Sequence, residues 1–95
     1  MRKALILNPK DNVAVALSNL KENEEVEIQA EDKVIIVKLV NEIPFGHKFS
    51  IKAIRSGEPI LKYGEVIGIA IKDIIAGEHV HIHNVKGLRG RPQDE

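Results

Sequence analysis

The chain has no cysteine and no tryptophan, one tyrosine (Tyr63) and two phenylalanines (Phe45 and Phe49). The lack of cysteine excludes disulfides, thiolate nucleophiles and cysteine-ligated metals. Scarce aromatics leave little surface on which bases could stack, and charge of neither sign is in excess, with 14 Lys+Arg against 14 Asp+Glu. A nucleic-acid partner is therefore not expected, because such binders carry a basic surplus. No apolar run is long enough to span a bilayer, so no membrane role is expected either. The run at residues 4–7 stops at Asn8-Pro9, too early for a secretion signal, and a cytoplasmic location is the expectation. Glycine-rich phosphate loops, nucleophile elbows and helical zinc motifs are missing as well.

What is there is a supply of Ile, Val, Leu and Ala in short runs. A length of 95 residues leaves room for one domain, which buries roughly 60–65% of its unfolded surface. The patterning predicts strands at 3–7, 13–17, 25–29, 34–40, 48–51, 59–62, 66–71 and 79–85, separated by turn signals such as Asn8-Pro9-Lys10-Asp11, Ala30-Glu31-Asp32 and Tyr63-Gly64. A short helix over 13–20 is the alternative for the second of these, disfavoured by the alternation of Val13, Val15 and Leu17. The run Val34-Ile35-Ile36-Val37 is apolar throughout, which predicts a strand covered on both sides.

A local unit recurs at Leu20–Val26, Ile43–Phe49, Ile54–Ile60 and Ile74–Val80. Each places Asn23, Gly46, Gly57 or Gly77 between two apolar anchors. Glycine, and next asparagine, tolerates the positive φ of a tight turn feeding a strand. The spacing between units is irregular, which excludes a solenoid and predicts a compact β domain with several similar corners.

Three of the four histidines alternate along Gly77-Glu78-His79-Val80-His81-Ile82-His83-Asn84. A continuous strand would put His79, His81 and His83 on one face and bury Val80 and Ile82 on the other. Neighbours on that face lie about 6.6 Å apart and the outer two about 13 Å. One ion would then take at most two adjacent histidines plus ligands from elsewhere, and His81 and His83 are the candidate metal ligands. They are also candidates for proton transfer near neutrality; the alternative is a solvated strand face. His79, inside the turn unit, reads as structural. His47 can move a proton while Lys48 holds a carboxylate; otherwise His47 caps its turn and Lys48 is solvated. Asp11 and Asn12 read as a turn built on side-chain hydrogen bonds. Asn84 either orients a neighbouring imidazole or caps the strand end.

The segments Asp11-Asn12-Val13-Ala14-Val15-Ala16, Gly46-His47-Lys48-Phe49, Lys62-Tyr63-Gly64-Glu65-Val66-Ile67-Gly68 and 77–84, taken in order, resemble the small subunit or N-terminal SAF-type domain of altronate and galactarate dehydratases. The alpha subunit of sulfolactate sulfo-lyase is similar to the same domain. Asn23 stands where the family usually has Gly. The resemblance implies an all-β, SAF-type β-clip, a single compact domain of short strands over residues 1–85. A polar, flexible tail would follow over 86–95, with Arg89-Gly90-Arg91 either solvated or touching a partner. It implies the small subunit of a hydro-lyase, a carbon–oxygen lyase that takes water from a sugar acid. A divalent metal, iron or manganese, would assist, and a separate large dehydratase subunit would be needed for activity. His47, His81 and His83 would be catalytic, and Lys48, Asn84 and Tyr63 would bind substrate. The alternatives are a non-catalytic substrate-binding, lid or assembly module, and the alpha subunit of a sulfolactate sulfo-lyase. A homo-oligomer stays open.

Overall fold

A computed structural model describes residues 3–87. They form nine strands: β1 (Ala4–Leu5), β2 (Val13–Ala16), β3 (Glu25–Ala30), β4 (Lys33–Lys38), β5 (Lys48–Ser50), β6 (Pro59–Lys62), β7 (Glu65–Ala70), β8 (His79–Val80) and β9 (Val85–Gly87). The described residues contain no helix, so none could cross a membrane as one. The class is all-β, as the short apolar runs require, and residues 13–16 are strand rather than helix. Six strands make one sheet in the order β4-β3-β1-β2-β5-β8, and β6-β7-β9 make a second. All pairs are antiparallel except β1 with β3.

The four similar corners organise the interior. Asn23, Gly46, Gly57 and Gly77 all adopt positive φ, between 71° and 92°. The corners associate in pairs: Leu20 and Ile43 exchange backbone hydrogen bonds, and so do Ile54 and Ile74. Each pair feeds its own core. Leu20, Val26, Ile43 and Phe49 pack with Ala4, Ala14, Ala16, Ile28, Val37 and Leu39. Ile54, Ile60, Ile74 and Val80 pack with Val13 and Ala70. The second sheet is tied to the first by Asn12, whose Nδ2 donates to the Pro59 carbonyl at 2.9 Å and whose Oδ1 accepts the Leu61 N–H at 2.8 Å. Asp11 accepts the Tyr63 and Gly64 N–H groups at 3.1 and 2.8 Å, which holds Tyr63 at φ 58°. Both side chains are buried, and their hydrogen bonds are structural.

Three expectations are corrected. The run over 34–37 is not covered on both sides: β4 is the sheet's edge strand, leaving Val34 54% and Ile36 64% exposed. The strand predicted over 79–85 is two strands, β8 and β9, with a turn between them. Strand β9 also takes in Lys86 and Gly87, past the expected domain end at 85, while residues 88–95, the rest of the predicted tail, lie outside the described residues.

Candidate functional site

The turn after β8 creates the site, and Asn84 creates the turn. The Asn84 Oδ1 accepts the His81 N–H at 3.0 Å, its Nδ2 donates to the His79 carbonyl at 2.8 Å, and its own N–H donates to the His81 carbonyl at 3.0 Å. Asparagine side chains compete with sheet ladders for backbone partners in this way. The alternation therefore does not line one strand face. The chain folds back on itself, His79 packs on His81 with ring centroids 5.4 Å apart and 8° between planes, and His83 lies 5.6 Å from His79. Ile82, expected in the core, is 81% exposed at the tip, whereas Val80 is buried.

The fourth histidine arrives across the sheet. Strands β5 and β8 pair antiparallel with Lys48 opposite Val80 and Phe49 opposite His79. His47, just before β5, is thereby set beside the turn, with ring centroids 5.0 Å from both His79 and His81. Its Nδ1 shares a hydrogen bond with His79 Nε2 at 2.9 Å; one ring carries the proton and the other accepts it. Donor nitrogens of His47, His79 and His81 all lie within 4.8 Å of one another, a group able to hold a metal ion. His83 is beside this group and not in it. The sequence pair His81/His83 is thus replaced by His47/His79/His81 as the candidate ligand set. His79, read from the sequence as structural, sits at the centre.

Burial, then the positive neighbours His47, His81, His83 and Lys48, pushes the His79 imidazole down to about 4. Burial and the same kind of neighbours lower His81. Both rings are therefore neutral at pH 7, the form that accepts a proton or binds a metal. Lys48, half-buried on β5, is lowered by burial and by Lys62. Its ammonium adds positive potential beside His79 and His81, and Lys62, 5.2 Å from the Tyr63 ring centroid, is near enough to act on Lys48 in turn. An anion is the ligand such a surface attracts.

Of the two remaining sequence-predicted substrate contacts, one is committed elsewhere and the other keeps an exposed side chain. Asn84 is fully buried with its side-chain amide committed to the backbone, so it positions His79 and His81 instead of touching a ligand. Tyr63 is on the β6–β7 turn, its backbone held by Asp11 and its ring beside Lys62. Sequence reasoning also missed Asn41, whose Oδ1 accepts the His79 N–H at 2.9 Å. A contact spanning 38 residues leaves no local signal.

Residues 2–88 match the altronate/galactarate dehydratase SAF domain. The chain is 45% identical over 76 residues to an altronate dehydratase of Escherichia coli (strain K12), a match covering 80% of this chain and 14% of that protein. It is 33% identical over 86 residues to an altronate dehydratase of Bacillus subtilis (strain 168), covering 90% and 16%. It is 46% identical over 48 residues to a (2R)-sulfolactate sulfo-lyase subunit alpha of Paracoccus pantotrophus, covering 50% and 72%. The chain thus spans only about one-seventh of the altronate dehydratases it matches, and most of the sulfo-lyase subunit.

Proposed function

The chain belongs to the altronate/galactarate dehydratase SAF-domain family, and on that premise we propose that it is the small subunit of a sugar-acid hydro-lyase. It would act with a separate large subunit to eliminate water from a hydroxy acid. The observation that carries this reading is the corner where neutral imidazoles and the Lys48 ammonium converge. Lys48 can pair with the substrate carboxylate. Elimination needs a base for the proton next to the carboxylate, and a neutral imidazole is the form that accepts it; the imidazolium so formed can pass that proton to the leaving 3-hydroxyl oxygen. His81 and His83 are both exposed and can reach a bound molecule. The corner is also suited to being covered. Phe45 and Ile82, 65% and 81% exposed, stand two residues before His47 and between His81 and His83 in the chain. A large subunit docking at this corner would bury them.

The family's divalent metal can be weighed against the donors present. His47, His79 and His81 offer imidazole only. That set suits iron(II) and is a poor match for manganese, which prefers oxygen donors. A bound ion would stabilise negative charge developing next to the substrate carboxylate. The chain's own residues hold the carboxylate and move the proton.

The sulfo-lyase likeness favours a second reading, with sulfite instead of water as the leaving group and the same corner receiving a sulfonated hydroxy acid. A third is a substrate-binding or assembly module without chemistry. Reconstitution with a large subunit of the altronate dehydratase type, followed by assays of water elimination and sulfite release, separates the first two. Replacing His47, His81 and His83 singly by Ala separates the third. Turnover should fall at least about 100-fold, the usual contribution of an acid–base group, with assembly intact. Unchanged turnover in all three variants would sink the catalytic reading.

A further inference from the structure

Three of the four corners share a side-chain clamp that the remaining one lacks. Glu24 Oε1 accepts the Lys21 N–H at 2.9 Å, Glu58 Oε1 the Arg55 N–H at 2.9 Å, and Glu78 Oε1 the Ile75 N–H at 3.0 Å. Each glutamate follows the positive-φ residue and serves the amide three residues back. In the remaining corner the glutamate's place is taken by His47, and the residue three back is Pro44, which has no N–H to offer. The backbone closure is the same in all four: His47 donates to the Pro44 carbonyl at 3.0 Å, as Glu24, Glu58 and Glu78 donate to Lys21, Arg55 and Ile75 at 3.1, 2.9 and 3.1 Å. This corner therefore folds without a clamp. Its side chain has no amide to serve and turns instead to His79 and His81.

We propose that His47, His79 and His81 form a site for one divalent transition-metal ion carried by this chain itself, and that the Pro44–His47 exchange is what builds it. Metal–nitrogen distances of ~2.0–2.1 Å put two ligand atoms on one ion about 3.0–3.4 Å apart. His47 Nδ1 and His79 Nε2 are already 2.9 Å apart, and the His81 nitrogen closes on them from within 4.8 Å. The ligands come from two neighbouring strand ends, each with an anchored backbone. Asn41 holds the His79 N–H, Asn84 holds His79 and His81, and Asn19 Oδ1 accepts the Phe45 N–H at 2.8 Å in the His47 corner. An imidazole-only set selects iron(II), cobalt(II), nickel(II), copper(II) or zinc(II) over magnesium, calcium and manganese. Three protein ligands leave coordination positions for water or a substrate oxygen. His81 is the exposed member of the set, so solvent reaches the group from its side.

The test uses the full chain and a readout independent of turnover. Cobalt(II) is titrated into metal-free protein and followed by its visible absorption; zinc(II) is followed by calorimetry. One ion per chain is expected. His47→Ala, His79→Ala and His81→Ala should each weaken binding at least about 10–100-fold, the cost of losing even an outer-sphere partner, and His83→Ala should leave it unchanged. The double substitution Pro44→Lys with His47→Glu restores the clamp of the other corners, so it should unfold at or above the parent temperature and bind no cobalt. Absorption absent at one equivalent, or binding that survives His47→Ala, overturns the proposal. Metal binding is separable from the elimination reading. A chain that binds cobalt while its alanine variants keep full turnover in the reconstituted enzyme supports the site and removes the reading, and the converse pattern removes the site alone.

Discussion

Asn84→Ala is the sharpest probe of how this fold makes its site. The side chain is fully buried and spends both polar atoms on the backbone, at 3.0 Å to the His81 N–H and 2.8 Å to the His79 carbonyl. Alanine leaves both groups without these partners. Each buried polar group so stranded costs about 1–3 kcal/mol. The turn borders solvent and water can repair part of the loss, so the net is about 2–4 kcal/mol. In a domain of this size each 1 kcal/mol lowers the melting temperature by about 4–8 °C, so a drop on the order of 10–30 °C is expected. Asn84→Asp keeps the acceptor for His81 and loses the donor to His79, and it should fall between alanine and the parent. Urea denaturation gives the free energies, and nuclear Overhauser contacts between the His79 and His81 rings report whether the turn persists. If Asn84→Ala unfolds within about 0.5 kcal/mol of the parent, the range of an ordinary surface change, and the ring contacts survive, the turn is held by something else and the reasoning is wrong.

Two further outcomes follow from the same geometry. At Gly77, φ is +88° and an added Cβ would lie 2.1 Å from the Lys38 carbonyl oxygen and 3.1 Å from Leu39 Cα; at Gly46, φ is +84° with nothing within 4 Å. Gly46→Ala should cost only the left-handed penalty of about 1–2 kcal/mol. Gly77→Ala should cost clearly more, read as a lower urea midpoint at unchanged slope, and equal costs would refute the contact. His79 is held at about 4 in the folded chain, against an ordinary 6.5. Above pH 6.5 the ring is neutral in both states and the fold keeps this contribution in full. As pH falls from 6.5 toward 4 the unfolded chain takes up the proton first, so stability is lost across that window and levels off below it. His81 adds to the loss in the same direction. Melting temperatures measured in chelator should show this slope, and His79→Gln should flatten most of it; an equal slope in the variant would refute the assignment.

The corners were legible because their cause is local. Positive φ is a property of one residue, and Asn23, Gly46, Gly57 and Gly77 announce it by type. The apolar anchors on either side then had to be core, and Leu20, Ile43, Ile54, Ile74, Phe49 and Val80 are. The histidine row misled for an equally physical reason. Alternation predicts a face only if the strand continues, and one side chain, Asn84, outcompeted the ladder for the backbone of His79 and His81. The apolar run at 34–37 misled because pattern alone carries no information about which strand lies at a sheet's edge.

By itself the chain's order of residues determined the all-β class, the four turning points, the two sets of core anchors and the supply of imidazoles, because each depends on one residue or its near neighbours. Only the tertiary structure decided which imidazoles meet. That required β5 to pair with β8 across some 30 residues of chain, setting His47 5.0 Å from His79 and His81, and it required Asn41 and Asn84 to fix the backbone between them. Pairing of distant strands is governed by the summed packing of two cores, and no short window of sequence contains that sum.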